Sequence, residues 1–296
     1  MSVTSLNTLK GVLMLTRPHN LFVAIITTFI GYGLVSRIYG LPLLSSSFIY
    51  ATAVVVFVAA AGYVINDYYD VETDRVSKPW RPLVTGIVAP TTARLLAYIL
   101  YLAGMVVSLV LGFWPAVFAA LNAVLTHEYS RWVKKTGFLG NLLVALNSAA
   151  TILFGGLVRS LDANSPVPYL VLLPSLYAFL LILGREIVKG IEDVEGDKRI
   201  GAMTLAVSCG VHCARSVAAL LLLVVVAISP LPALLGPYNL AYLALALVVD
   251  ASIILAIHAL YNGHEARHIV EASRRARSLL KISLLAGGLA FALGLF

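Results

Sequence analysis

A polytopic all-α membrane protein, a bundle of nine transmembrane helices, is the fold the sequence predicts. Three observations predict it. The mean hydropathy is +0.94, with 60% hydrophobic and only 12% charged residues, which is too apolar for a soluble domain. Apolar runs of about 20 residues recur, the length a bilayer core of about 30 Å requires. Lys and Arg collect in alternate connections between those runs, as retention of positive charge on the cytoplasmic side demands.

Taken in order, the first expected span covers about 18–38 and follows Lys10 and Arg17. It is long, lacks a small-residue cleavage site and precedes further spans, so it reads as a retained helix and not a signal peptide. The second, about 43–66, leads to Arg75, Lys78, Arg81 and Arg94. The third and fourth, about 90–113 and 114–133, lead to Arg131, Lys134 and Lys135. The fifth and sixth cover about 139–158 and 167–190, and Arg185, Lys189, Lys198, Arg199 and Arg215 surround the connection from the sixth to the seventh. The seventh and eighth, about 213–234 and 236–260, are followed by Arg267, Arg274, Arg275, Arg277 and Lys281, and the ninth is about 279–296. Only Arg37 and Arg159 fall in connections on the other side. The expectation is a multi-pass cell-membrane protein with its N-terminus in the cytoplasm and its C-terminus outside.

The net charge of +7 and pI near 9.4 would also suit a nucleic-acid binder. The basic residues lie in short inter-helix loops, so topology accounts for them, and no nucleic-acid module is present. Cys209 and Cys213 are the only cysteines, four apart around His212. A metal pair is one reading; buried spectator cysteines are the one expected.

Negative charge is scarce and concentrated. Of fourteen Asp and Glu residues, eight lie in two stretches, Asn66-Asp67-Tyr68-Tyr69-Asp70-Val71-Glu72-Thr73-Asp74 and Glu192-Asp193-Val194-Glu195-Gly196-Asp197. Asn66, Asp70 and Asp74 fall four apart, as do Asp193 and Asp197, which lines oxygen ligands along one face of a helix. Like charges so spaced repel unless a cation sits on them. Both stretches fall on the expected cytoplasmic side.

The chain also looks duplicated. Asn20-Leu21-Phe22-Val23-Ala24 opens the first span and Asn141-Leu142-Leu143-Val144-Ala145 the fifth, each followed at a similar distance by its acidic stretch. One domain over 1–296 is expected, with repeat-like halves of about 12–135 and 136–262 and a final helix of about 279–296. Four spans per half give both the same orientation, and the two acidic faces are expected to meet across a pseudo-two-fold axis.

Carboxylates and a side-chain amide are hard ligands suited to Mg²⁺ held through a few carboxylates, waters and substrate phosphate. Basic residues interleave with them: Lys78-Pro79-Trp80-Arg81-Pro82 after the first stretch, Arg185 and Lys189 before the second, Lys198-Arg199 after it. Metal ligands beside Lys and Arg donors are what a pyrophosphate requires, and the apolar helices would receive a hydrocarbon tail. A diphosphate on a long lipid tail is the expected ligand. The principal non-enzyme alternative is a secondary transporter, but transport favours polar groups near the bilayer midplane, where only Asp250 looks deep.

The strings NDYYDVETDRVSKPWRP (Asn66 to Pro82) and EDVEGDKRIGAMTL (Glu192 to Leu205), with the loop Tyr129-Ser130-Arg131-Trp132-Val133-Lys134, resemble the signatures of the UbiA superfamily of intramembrane prenyltransferases. The resemblance extends over the whole chain. It implies a helical bundle around a large central cavity, open laterally to lipid, that uses Mg²⁺ to bind a prenyl diphosphate and passes the prenyl chain to a lipid or aromatic acceptor. It assigns Asn66, Asp70, Asp74, Asp193 and Asp197 to Mg²⁺ and diphosphate, with Asp70 and Asp193 catalytic. Asp67 belongs to the motif and is placed with the catalytic acids; one position past Asn66 it points about 100° away, toward a supporting role. Lys78, Arg81, Tyr129, Lys134 and Lys198 are expected on the diphosphate, and Arg17, Asn20, Arg185 and Lys189 at the acceptor. For Arg17 a plain membrane-surface anchor is the alternative. Tyr63, Tyr68, Tyr69 and Tyr129 either turn π faces to an allylic cation or pack between helices. The acceptor proton goes to Asp67 or to the released diphosphate. No protein or nucleic-acid partner is implied. The wording from Arg185 to Asp197 is most like the family's archaeal ether-lipid branch, whose acceptor is geranylgeranylglyceryl phosphate. Trp80 and Leu83-Val84-Thr85-Gly86 depart from that branch and keep an aromatic acceptor, such as 4-hydroxybenzoate, as the alternative.

Overall fold

The computed structural model of the protein describes residues 3–199, 201–262 and 265–296; of the two motifs only Ile200 lies outside them. Every regular element among these residues is helical. The chain divides into two compact units, the first comprising the residues up to Thr28 with Ser45–Trp132, the second Phe29–Leu44 with Val133–Phe296.

The first unit opens with α1 (Val3–Thr16), which the sequence reading did not anticipate, and the start of α2 (Pro18–Ile38). Between them Arg17 takes φ 51°, a left-handed conformation uncommon outside glycine. Pro18 suits a first helical turn because its missing N–H would have no partner there. α3 (Ser46–Tyr69) is the centre of the unit, packed by α5 (Pro90–Val110), α6 (Phe113–Arg131) and α1; the short α4 (Val71–Ser77) follows it. The face α5 buries is Ala93, Ala97, Tyr101, Gly104 and Ser108, while Leu95, Ile99, Leu102, Val106 and Leu109 point outward. Small residues inside and large aliphatics outside are the pattern of helices surrounded by lipid, where close backbone approach drives association.

In the second unit α8 (Leu172–Glu192) is central, touching α7 (Phe138–Asp162), α11 (Val211–Ile228) and α14 (Ala266–Leu293). The short α9 (Val194–Arg199), α10 (Leu205–Ser208) and α12 (Leu231–Leu235) join its longer helices, and α13 (Leu240–Tyr261) pairs closely with α14. The second half of α2 approaches α7 so closely that a Cβ on Gly31 would lie 1.8 Å from the Ile152 carbonyl oxygen. Gly31→Val is therefore expected to destabilise the protein by about 1–3 kcal/mol or more, because that obstacle is helix backbone and cannot rotate away. A melting temperature in detergent equal to that of the parent would contradict this contact.

Arg159, counted above as one of two cations on the far side, is buried. Its Nε donates to Ser36 Oγ (2.9 Å), Nη1 to Asp162 Oδ2 (2.6 Å) and Nη2 to the Pro42 carbonyl (2.6 Å), and its guanidinium lies over the Tyr32 ring. It ties the end of α2 and the loop after it to α7.

The nine expected spans each find a long helix at their position. Eight regions of the described residues are long and apolar enough to cross a membrane, the first running through α1 and α2 as Thr8–Ile38. The helix at the fourth position, α6, is not among them: its second half carries Asn122, Thr126, His127, Glu128, Ser130 and Arg131, which lower its hydropathy. The last helix begins at Ala266, well before the expected 279, because Ile269, Ser273, Ala276 and Leu280 form a buried stripe through its charged half. The cysteines also differ from expectation. Cys209 is exposed and Cys213 half-buried, and they form a disulfide across the α10–α11 junction, where Gly210 (φ 88°) turns the chain and leaves their Cα atoms 5.7 Å apart.

Candidate active site

The first acidic stretch is not one continuous helix. α3 stops at Tyr69, Asp70 caps it (φ −93°, ψ 0°), and α4 starts at Val71. Backbone hydrogen bonds from Asp70 N–H to Asn66 O (3.0 Å), Asp74 N–H to Asp70 O (2.7 Å) and Lys78 N–H to Asp74 O (2.8 Å) carry the four-residue register through the break. Asn66 and Asp70 therefore stay on one side, and Asn66 Nδ2 donates to Asp70 Oδ2 at 2.9 Å. The second stretch is built alike. α8 ends at Glu192, Asp193 caps it (φ −90°, ψ 5°), and α9 follows, with Asp193 N–H on Lys189 O and Asp197 N–H on Asp193 O, both 2.9 Å.

Around the first stretch the acids sort into two kinds. Asn66 and Asp70 are half-buried, whereas Asp67 and Asp74 are buried and engaged by cations. Asp67 Oδ1 accepts from Arg17 Nη2 at 2.5 Å and from Arg81 Nη1. Asp74 meets Lys78 Nζ (3.2 Å) through Oδ1 and Arg81 Nη1 (3.3 Å) through Oδ2, so Arg81 bridges the two buried carboxylates. Three cations face two carboxylates, an excess of positive charge suited to an anion. The Arg17 guanidinium lies 5.1 Å from the centre of the Tyr63 ring, whose hydroxyl Asn20 reaches, and Arg94 lies 5.9 Å from that of Tyr68. Two of the four tyrosines for which an allylic cation and interhelical packing are the alternatives thus face guanidiniums. Tyr69 is edge-on to Tyr68 and His127. Tyr129 sits half-buried in the last turn of α6.

Within the second unit Asp193 is exposed and Asp197 half-buried. Burial pushes the Asp197 carboxyl above the usual carboxylate range; the Thr204 hydroxyl opposes that, the Asp193 charge adds to it, and Lys189 opposes it. Arg185 Nη1 (2.7 Å) and Lys189 Nζ (3.6 Å) share the carboxylate of Glu186, again two cations on one acid. Lys198 pairs with Glu195 at 3.3 Å, both exposed, and Lys134 is half-buried in the turn Val133–Thr136.

Three groups escaped the sequence reading. Glu186 lies just before the second motif, three residues ahead of Lys189, and that spacing could have flagged it. Glu192 contacts Arg277 (3.0 Å) and Arg274 (3.5 Å), more than 80 positions away, for which no local signal exists. Glu128 takes Trp132 Nε1 and His127 Nδ1, each at 2.9 Å, and so fixes the end of α6.

No three His, Cys, Asp or Glu side chains among the described residues converge as a self-sufficient metal cage. The donor chemistry nevertheless fits Mg²⁺. Each motif presents a pair of hard oxygen donors, and Mg²⁺ keeps several waters and binds through one or two carboxylates plus substrate phosphate.

The profile of the UbiA prenyltransferase family matches residues 24–285. The chain belongs to that family. Among UbiA proteins it is 52% identical over 296 residues to the digeranylgeranylglyceryl phosphate synthase of Hyperthermus butylicus, covering 98% of each chain. Its fold is similar to that of a solved digeranylgeranylglyceryl phosphate synthase, with a TM-score of 0.76 and 33% identity over 97% of this chain and 98% of the other. A UbiA homologue from Archaeoglobus fulgidus, solved bound to GPP and Mg²⁺, shares the fold at a TM-score of 0.65 and 17% identity, over 93% of this chain and 99% of the other.

Proposed function

We propose that the protein transfers a geranylgeranyl group from geranylgeranyl diphosphate to geranylgeranylglyceryl phosphate, giving digeranylgeranylglyceryl phosphate and diphosphate. The carrying observation is a pair of aspartate motifs of one local build, in a chain 52% identical to a digeranylgeranylglyceryl phosphate synthase across 98% of both. One domain spans 1–296, and the matching helix–cap–helix build at Asp70 and Asp193 supports duplicated halves. The basic loops support a cytoplasmic position for both motifs and for the N-terminus.

Asn66 with Asp70, and Asp193 with Asp197, are the metal-holding groups; Asp74, expected among them, is engaged by Lys78 and Arg81 and is given a supporting role in this reading. Bound Mg²⁺ supplies Lewis-acid neutralisation of the departing diphosphate. Asp67 and Asp74 hold Arg17, Arg81 and Lys78 in place, so that Lys78 and Arg81 meet the diphosphate without reorganising. Lys134, Lys198 and Tyr129 add donors to it. The donor C1–O bond breaks with its electron pair leaving on the diphosphate, and the acceptor hydroxyl oxygen bonds to C1. Its proton passes to the released diphosphate, because Asp67 is already taken up by the Arg17 and Arg81 guanidiniums. Arg185 and Lys189, with Arg17 and Asn20, meet the phosphate of the acceptor. The apolar helix walls keep water from the allylic cation.

The test offers purified protein in lipid labelled geranylgeranyl diphosphate with either geranylgeranylglyceryl phosphate or 4-hydroxybenzoate, with and without EDTA. Metal-dependent product from the glycerol phosphate alone is expected. Product from the benzoate alone would move the chain to the aromatic-acceptor branch.

A pH effect accompanies the raised Asp197. Protons and Mg²⁺ compete for this carboxylate, so the Mg²⁺ concentration for half-maximal activity should climb as pH falls through a window above the ordinary aspartate value of 3.8. In the metal-free protein the sign is opposite. A folded pKa above the unfolded one stabilises the protein at low pH, and that contribution is lost as pH rises through the folded value. Both trends should vanish in Asp197→Asn; their persistence would assign them to another group.

A further inference from the structure

Glu192 is the last residue of α8 and immediately precedes the capping Asp193. Its side chain is only 11% exposed, yet no basic residue of its own helix is paired with it. Its oxygens instead face α14: Arg277 Nε lies 3.0 Å from Oε2 and Arg274 Nε 3.5 Å from Oε1. The origin is the buried stripe Ile269, Ser273, Ala276 and Leu280, spaced four, three and four, which seats this half of α14 in the unit. Arg274 follows Ser273 and Arg277 follows Ala276, one turn apart, so both rise along the same edge of the stripe. This stretch of α14 is too charged to span a membrane, and positive-inside retention alone would not require two of its arginines to converge on one largely buried acid.

We propose that Arg277, assisted by Arg274, is a positioning residue for the second aspartate motif, acting through Glu192. Fixing the last residue of α8 fixes the direction in which Asp193 leaves the helix and, through the bond from Asp197 N–H to Asp193 O, the start of α9. The clamp thereby sets how well Asp193 and Asp197 are arranged for Mg²⁺ and diphosphate before either arrives. The inference rests on the role given to these two aspartates under the proposed function.

Two readouts test it on the full chain in lipid nanodiscs. The first is the Mg²⁺ dependence of prenyl transfer. The second needs no turnover: the rise in melting temperature on titrating Mg²⁺ in the presence of inorganic pyrophosphate. Arg277→Ala should raise the half-saturating Mg²⁺ about tenfold in both, as loss of a group that orients a metal ligand does, while kcat at saturating Mg²⁺ changes far less. Arg277→Lys should recover most of the loss. Arg277→Ala combined with Glu192→Gln should be no worse than the poorer single variant, since both remove one interaction. Unchanged Mg²⁺ midpoints in folded Arg277→Ala, or additive losses in the double variant, overturn the clamp. Should Arg277→Ala fail to fold, Arg277→Lys and Glu192→Gln carry the same comparison. Failure of the wild type to turn over, with an intact pyrophosphate-dependent shift, would strike the proposed activity and leave the clamp to the second readout.

Discussion

Substituting Asp70 or Asp193 by Asn is expected to lower prenyl transfer by about a thousandfold or more without reducing the amount of folded protein. Each of these residues caps the helix that delivers it through its backbone N–H, leaving the carboxylate free of the cap; each keeps the four-residue register with a second oxygen donor, and neither is buried. An amide of the same shape preserves the cap and the packing but removes one negative charge from a donor pair. Stabilising the departing diphosphate is worth several kcal/mol, and about 4 kcal/mol corresponds to a thousandfold in rate. The loss should appear in kcat at any practical Mg²⁺ concentration, with the melting temperature of the metal-free protein close to that of the parent. Activity retained within tenfold would remove both residues from the metal-holding set.

Asp67→Ala should behave in the opposite manner, losing stability as well as activity. Its carboxylate is 4% exposed and holds Arg17 and Arg81, themselves only 24% and 18% exposed. Removing it leaves two partly buried guanidiniums facing each other across a cavity, and breaking such a cluster from one side costs about 3 kcal/mol. Arg17 also occupies a left-handed backbone conformation that its side-chain contacts help to hold, so the junction of α1 and α2 should loosen with it. Asp67→Ala should therefore melt well below the parent in the absence of metal, while Asp70→Asn does not. Equal melting temperatures for the two variants would show that the Arg17–Asp67–Arg81 cluster contributes only locally.

The spans were legible because a bilayer imposes one strong requirement, a run of apolar residues of sufficient length, and this appears in any window of the sequence. The acidic motifs were legible because their ligands are neighbours in the chain. The helix breaks at Asp70 and Asp193 were not. Neither position is marked by Pro or Gly, and the i, i+4 spacing is the same whether the helix continues or is capped and restarted. Which acids hold cations and which face outward was also hidden, since Asp67, Asp70 and Asp74 differ only in what the fold packs against them. The early start of α14 could have been seen in the four-three-four spacing of Ile269, Ser273, Ala276 and Leu280, but hydropathy alone discards a stretch with so many arginines. The contact of those arginines with Glu192 joins distant parts of the chain and leaves no trace in local pattern.

At 28 residues α14 is about 42 Å long, against a hydrocarbon layer of about 30 Å. Its apolar end is long enough to lie in that layer, and its charged end carries Arg274 and Arg277. A rod of this length, packed along α13 and reaching Glu192 through its arginines, would carry any tilt imposed by a change in bilayer thickness to the second pair of aspartates. Prenyl transfer in this protein should then depend on the chain length of the surrounding lipid, most steeply at limiting Mg²⁺, and a flat response across nanodiscs of different thickness would show that the rod moves without the motif. For an enzyme of membrane-lipid synthesis, such a dependence would let the dimensions of the membrane already made govern how fast more of its precursors are produced.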